Sequence, residues 1–375
     1  MSGGPESGFS GFSGFSGFSG FSGFSGFSGF SGQGNMGALG NALDPQTSVA
    51  LITTRDGIAG TWAQPPLRHG GALPADSPEQ IPAMARWARF LLYEFEIMSP
   101  LSFATETVAG TQFHLLTHSE PGGMPAPVVR MSRPDLDLFY DQLDFIAGYV
   151  QLRPDRHAEI TAQLGAPIAF LGALGYVHPN KTPYTIELLE AAFRLANLAE
   201  IRFKHALACR RPVELSARIQ PMIQTPGHAS LPSGHATEAF TLAQVMWRLL
   251  AEAKPTPYAA QDWGDQFMRL AARIAINRTV AGVHYPIDST AGAVLGLALG
   301  DYFVTRAAAN GDPAFTGSTF AGHALPNADF DWRQHASTAD DQTRGRLDAD
   351  LPPMAVTASD QLQWLWDKAK AEWTA

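Results

Sequence analysis

The chain is poor in three things, and each shortage excludes a class. It has one cysteine, Cys209, in 375 residues, so an intrachain disulfide framework is impossible and the redox compartment is unspecified. A phosphatase of the cysteine type would want an arginine six residues further on, and that position is Leu215, so Cys209 reads as a small packed residue. Basic residues are outnumbered, 26 Lys and Arg against 35 Asp and Glu, and the net charge of −9 argues against nucleic acid as a partner. Long apolar runs are missing too. A membrane-spanning helix needs about 18 to 20 apolar residues, and the longest candidate, 291–299, contains glycines and stops at Asp301. The N-terminus shows no basic segment followed by an apolar one. The expectation is a soluble, cytoplasmic chain without a membrane span.

What is present is enough apolar sequence, 45%, to bury a large core. Residues 8–31 are Gly-Phe-Ser repeated eight times. One aromatic per triplet sustains neither helix nor strand periodicity, so residues 1–35 are expected to be a disordered low-complexity tail. Such a tail is either a self-associating segment or a linker without a role of its own. Residues 36–75 scatter Leu39, Val49, Leu51, Ile52 and Trp62 among Gly and Pro, and suggest an irregular arm over a core. Beyond them the three- and four-residue apolar rhythm predicts helices at 82–98, 135–150, 153–164, 182–209, 234–253, 262–280, 286–309 and 359–373. Thr182 is a candidate N-cap for the fourth. Strand signals are sparse, with a possible short pair near 113–115 and 128–130. The fold class expected is all-α: one helical domain over 36–375, with a catalytic core at about 183–310.

Three short motifs carry the chemistry. Lys204 and Arg211-Pro212 lie in a basic stretch, five Lys and Arg from 202 to 218, within an acidic protein. Seven residues is nearly two helical turns, so if helix persists both cations project from one face, a point charge beside a planar fork. Pro232-Ser233-Gly234-His235 precedes an apolar helix. Ser233 can cap it, Gly234 lets an oxyanion approach the backbone, and His235 sits at the rim. Arg278-x5-His284-x3-Asp288 completes the set. Gly282 permits a turn, and Asp288 in the first turn of the next helix can reach back to fix the tautomer of His284. Taken singly, each also reads as a helix end, a cap or a turn histidine.

In this order and spacing the three motifs resemble the type 2 phosphatidic acid phosphatase and vanadium-dependent haloperoxidase superfamily, over residues 204–288. One departure is Asn277, where the family commonly has serine. The resemblance implies a helical bundle of the acid phosphatase/haloperoxidase type. It implies that Lys204, Arg211, Arg278, Ser233 and Gly234 hold the oxygens of phosphate or vanadate. His284 would be the axial group, a phosphorylated nucleophile in a phosphatase or the ligand of vanadium in a haloperoxidase, and His235 the acid–base opposite.

Length, and the helices before the first motif, favour the haloperoxidase branch. So does His228, seven residues before His235, a spacing that resembles bromide-selective members. The leading expectation is therefore a vanadate-dependent haloperoxidase that oxidises halide, bromide foremost, with hydrogen peroxide. The segment 282–288 looks more like the phosphatase branch. The alternative is a soluble phosphomonoesterase acting through a phosphohistidine and needing no cofactor. A third class is a non-catalytic oxyanion-binding or self-assembling protein, against which the pair His235 and His284 argues. A homo-oligomer is compatible with any of these.

Overall fold

The computed structural model describes residues 45–59, 73–165, 167–255, 258, 262–308, 314–338 and 345–374. The Gly-Phe-Ser tail, and the expectation of disorder for it, lie outside them. Contacts divide the chain into two compact units at Arg89/Phe90, and the unit reaching the C-terminus carries every candidate site residue. Between 45 and 89 the described residues form helix α1 (Pro45–Ala59) and a 3-10 turn at Pro78–Ala83 capped by Ser77. Of the irregular arm expected for 36–75, residues 45–59 are instead helical, with Val49, Ile52 and Ile58 exposed, whereas 73–75 are not.

From Phe90 onward four long helices form the core: α7 (Pro183–Leu207), α9 (Gly234–Ala253), α10 (Asp262–Val280) and α11 (Pro286–Ala308). α9 is central, packing on the other three, and is buried almost all round from Gly234 to Leu250. α12 (Asp360–Thr374) lies against α7, α9 and α11. It supplies the N-cap of α7: Glu372 accepts from the amides of Tyr184 (2.7 Å) and Thr185 (2.8 Å). Thr182 holds the cap position, but its side chain makes no cap bond and takes the amide of His178 instead. Smaller helices precede the core: α2 (Arg86–Met98), α3 (Leu136–Asp141), α4 (Leu143–Tyr149), α5 (Arg153–Ala162) and α6 (Ile168–Gly175). The helix expected over 135–150 is therefore two, broken at Gln142, which turns its side-chain oxygen to the amide of Ile287.

The all-α expectation is wrong. A five-stranded mixed sheet runs β1 (Leu101–Val108), β2 (Thr111–His118), β3 (Ala126–Ser132), β4 (Ala314–Ala321), β5 (Ala349–Ala355), in that spatial order. β3 and β4 are parallel and the other neighbours antiparallel. The pair expected near 113–115 and 128–130 is the centre of β2/β3, with Leu115 opposite Arg130. The rest was hidden for physical reasons. β1 and β2 join through a two-residue turn, Ala109 and Gly110, both at positive φ (50° and 86°), and alanine is a poor signal for such a turn. β5 contains Pro352 and Pro353, tolerated because it is an edge strand. β4 pairs with a strand some 180 residues earlier, which no local pattern reveals. Arg346, buried, ties the sheet to the core by donating to Asp301 of α11 (2.9 Å) and Ser318 of β4 (2.9 Å).

α9 and α11 approach closely because α11 places Gly292, Gly296 and Gly300 at four-residue intervals on the contact face. A Cβ on Gly296 would lie 2.4 Å from the carbonyl of Thr237 and 2.9 Å from Phe240 Cβ. Thr241 crosses the same interface to donate to the Gly296 carbonyl at 3.1 Å. Gly296→Ala must therefore push two buried helices apart. The expected loss is about 1 to 3 kcal/mol of stability, read as a lower urea midpoint at unchanged m-value.

Candidate active site

The site is built where α7, α9, α10 and α11 end or begin. α7 stops at Leu207 because Ala208 takes the left-handed conformation (φ 50°), its amide still bonded to the carbonyl of Lys204. The helix does not persist to Arg211, as a shared helical face required. Arg211 is the extended N-cap of a new short helix, α8 (Pro212–Leu215), so Pro212 opens a helix rather than closing one. The break brings Lys204 and Arg211 to one site from two directions.

Both cations are buried and heavily bonded. Lys204 directs its ammonium at the carbonyls of Ala229, Ser230 and Pro232, which pins the loop before α9. Arg211 donates to the carbonyls of His228 (2.9 Å) and Val283 (2.8 Å), to His228 Nδ1 (3.1 Å) and to His284 Nε2 (2.9 Å). Arg278, at the end of α10, gives one nitrogen to the Ile160 carbonyl and to Gln163 Oε1. Its Nε and Nη1 are buried without a hydrogen-bond partner. Ser233 caps α9, its hydroxyl accepting from the Ala236 amide at 3.4 Å, and its own amide bonds the carbonyl of Asp288 (2.9 Å). The amides of Gly234 and His235 then fall in a first turn with no preceding carbonyls to meet, a ready anion cradle.

The tautomer of His284 follows from its neighbours. Arginine can only donate, so Nε2 accepts, and Nδ1 carries the proton toward Asp288 Oδ2 at 2.8 Å. Asp288 Oδ2 also accepts from Ser230 Oγ and from the Tyr285 amide (3.1 Å). Burial holds the imidazole well below its ordinary pKa, and the charges of Arg211 and Lys204 add to that. Burial pushes Asp288 up to about 6, against the pull of the Ser230 and Tyr285 hydrogen bonds. His235, partly buried, bonds the Gln163 carbonyl through Nε2 (2.9 Å), so that nitrogen carries the proton and Nδ1 keeps its lone pair. Burial and Arg278 hold it neutral as well. His228 is pushed down to about 4 by burial, Lys204 and Arg211.

All nine sequence-predicted site residues, Lys204, Arg211, His228, Ser233, Gly234, His235, Arg278, His284 and Asp288, thus fall around one cradle. Sequence reasoning missed four others. Ser230 bonds Asp288, and the only hint was its place three residues before Ser233. Gln163 joins His235, Arg278 and Asn277, whose side-chain amide donates to Gln163 Oε1 at 2.9 Å. Asn277, in the place of the usual serine, therefore braces the cradle from behind. Glu200 and Glu238 are buried carboxyls one helical turn from Lys204 and Gly234, a spacing that could have drawn notice.

Residues 188–311 match the family described as the PAP2 superfamily, a span that holds all nine site residues. The chain carries a PAP2 superfamily domain. The expectation of an enzyme of this superfamily stands. The decaprenylphosphoryl-5-phosphoribose phosphatase of Mycobacterium tuberculosis, in two strains, is 29% identical over 133 residues, 36% of this chain and 66% of the relative's length. A transmembrane PAP2 type phosphatidylglycerolphosphate phosphatase from Bacillus subtilis, a crystal structure, aligns over 60% of this chain and 92% of its own, at 17% identity and a TM-score of 0.36. The soluble, cytoplasmic expectation is withdrawn. The Bacillus subtilis protein is transmembrane by its title, and among the described residues of this chain no helix is long and apolar enough to cross a membrane.

The two acidic groups beneath the cradle make stability depend on pH. Burial and the neighbouring Glu200 push Glu238 up to about 8, although Asn197 donates to it at 2.7 Å. An unfolded glutamate titrates near about 4.3. Between these values the folded chain holds a proton that the unfolded chain has lost, so this group's contribution to stability is greatest at low pH and is lost as pH rises through the folded value. Glu238→Gln should remove one proton's share of that slope, about 1.4 kcal/mol per pH unit. Urea denaturation of both proteins between pH 5 and 8.5 measures it.

Proposed function

We propose that the protein is a phosphomonoesterase of the PAP2 type that works through a phosphohistidine at His284. The observation that carries this reading is the imidazole itself, with Nδ1 tied to Asp288 and an unprotonated Nε2 directed at Arg211 beside two further cations. That is a nucleophile whose unprotonated nitrogen already faces the cations of an oxyanion site, held by Arg211 until a guest arrives. The phosphatase relatives support the same reading.

In the proposed reaction the phosphoryl oxygens lie among Lys204, Arg211, Arg278, Ser233 and the Gly234 amide. These groups stabilise the charge spread over the equatorial oxygens in the transition state. His284 Nε2 attacks phosphorus, the P–O bond to the leaving group breaks, and His235 as imidazolium protonates the departing oxygen. A bound dianion raises the pKa of His235 and so favours that charged form. His235, now neutral, takes a proton from water, whose oxygen attacks phosphorus; the P–Nε2 bond breaks, His284 leaves as neutral imidazole and phosphate is released. His228 does not touch this chemistry directly. It braces Arg211, which bonds both its ring and its carbonyl.

The haloperoxidase reading, with vanadate on His284 and peroxide and halide as partners, is not adopted. The relatives are phosphatases, and none of the comparisons supports halide, vanadium or a homo-oligomer. A cradle shaped for five-coordinate phosphorus also takes vanadate, as an inhibitor.

Purified protein should hydrolyse an aryl phosphomonoester without vanadate, be inhibited competitively by orthovanadate, and give no bromination with vanadate, peroxide and bromide. His284→Ala should lose all detectable turnover. Asp288→Asn should keep the fold and lose roughly 10²- to 10⁴-fold in kcat, as a wrong imidazole tautomer does. Undiminished hydrolysis by His284→Ala would remove the nucleophile, and vanadate-dependent bromination would restore the peroxidase.

A further inference from the structure

We propose that Glu200 is a further binding group of the cradle: a neutral carboxylic acid that donates its proton to an oxygen of the bound phosphoryl group. The proposal rests on the phosphatase reading of the same site.

Glu200 lies on α7 one turn before Lys204 and is 6% exposed. Its carboxyl faces the first residue of α9. A Cβ built on Gly234 would lie 2.5 Å from Oε2, 2.7 Å from Oε1 and 2.9 Å from Cδ. Gly234 is therefore glycine for two reasons: an oxyanion must reach its amide, and the acid fills the space a side chain would need. Oε2 is buried and has no hydrogen-bond partner. Lys204 does not supply one, since its ammonium is directed at three backbone carbonyls.

A buried carboxylate without donors is among the costliest groups a protein can hold. The charged groups that act on Glu200 pull in opposite directions. Lys204 on its own helix and Arg211 at the head of α8 favour the anion, whereas Glu238 on α9 opposes it. Burial outweighs the cations and raises the carboxyl to about 7. Once protonated, Glu200 has an O–H that needs an acceptor. A phosphoryl oxygen at the Gly234 amide would be that acceptor. An ionised Glu200 in the same place would repel the guest. Above its free-state pKa, the anion must therefore bind together with one proton from solvent, which forms the O–H bond of Glu200.

The test is calorimetric titration with inorganic phosphate at pH 8, in two buffers of different ionisation enthalpy, which counts protons taken up per phosphate bound. Wild-type protein should take up between a half and one proton more than Glu200→Gln, with linkage setting the ceiling at about one. Glu238→Gln should keep the wild-type uptake. Infrared difference spectra of the unmodified protein give a second readout: phosphate should bring up the carbonyl stretch of a protonated carboxyl, shifted in heavy water. Phosphate binding with equal uptake in wild type and Glu200→Gln, or a wild-type spectrum without that band, overturns the role of Glu200 and leaves the phosphatase reading standing. No phosphate binding at all overturns both. Loss of uptake in Glu238→Gln instead would move the proton to the wrong carboxyl and also end the proposal.

Discussion

Taking Lys204, Arg211 and Arg278 out of water is the constraint to which the rest of the structure answers. Each buried cation costs several kcal/mol unless its donors are met. Lys204 meets its donors with carbonyls of the loop 229–232, and Arg211 with carbonyls of 228 and 283. Those two loops lead into Ser233 and His284, so satisfying the cations also sets these candidate catalytic groups in place. Arg278 is the exception. Two of its nitrogens are left unmet, an arrangement stable only because the surrounding packing fixes the side chain through Gln163 and Ile160. Burial, reinforced by the same concentrated positive charge, keeps His228, His235 and His284 neutral.

Backbone packing and chemistry meet at the α9/α11 contact. Ser233 at the start of α9 bonds the carbonyl of Asp288 in the first turn of α11. That bond needs the two helices closer than ordinary side chains allow, and the glycines at 292, 296 and 300 provide the room. A substitution well along the helix can therefore displace the cradle without touching it. Asn277 and Gln163 play the matching part on the other side, where α5 and α10 hold Arg278 and His235 in register.

Much of this was legible in the sequence, and unevenly so. The bounds of α9, α10 and α11 could be read from capping residues and apolar rhythm, because those helices are long and their ends are marked by Ser233, Gly282 and Pro286. The reach of Asp288 back to His284 followed from the same punctuation. The relation of Lys204 to Arg211 did not. A seven-residue spacing suggests a shared face, whereas an alanine in the left-handed region breaks the helix between them, and alanine gives no warning of that. The sheet was obscured by prolines, by an Ala-Gly turn and by pairing across nearly two hundred residues. Gln163 and Glu200 were invisible for a different reason. Their importance comes from what faces them in space, and neither sits in a motif with the residue it serves.

The contact between Arg211 and His284 also suits the proposed reaction, in which a buried, unprotonated nucleophile would have to be kept from indiscriminate attack. His284 Nε2 is not free: Arg211 donates to it at 2.9 Å, and the lone pair is covered. A phosphoryl group entering the cradle offers charged oxygens, which are stronger acceptors than an imidazole. In the proposed reaction the guanidinium N–H would turn to oxygen and uncover the lone pair with phosphorus already beside it. Binding and activation would then be one event, which water, a weak competitor for that N–H, would not trigger. Asp288 must stay ionised throughout. Three donors converge on its Oδ2, from His284, Ser230 and the Tyr285 amide, and a protonated oxygen there would lose one of them. Its hydrogen bonds therefore favour the charge that burial opposes, and they hold the proton of His284 on the nitrogen that faces away from the substrate.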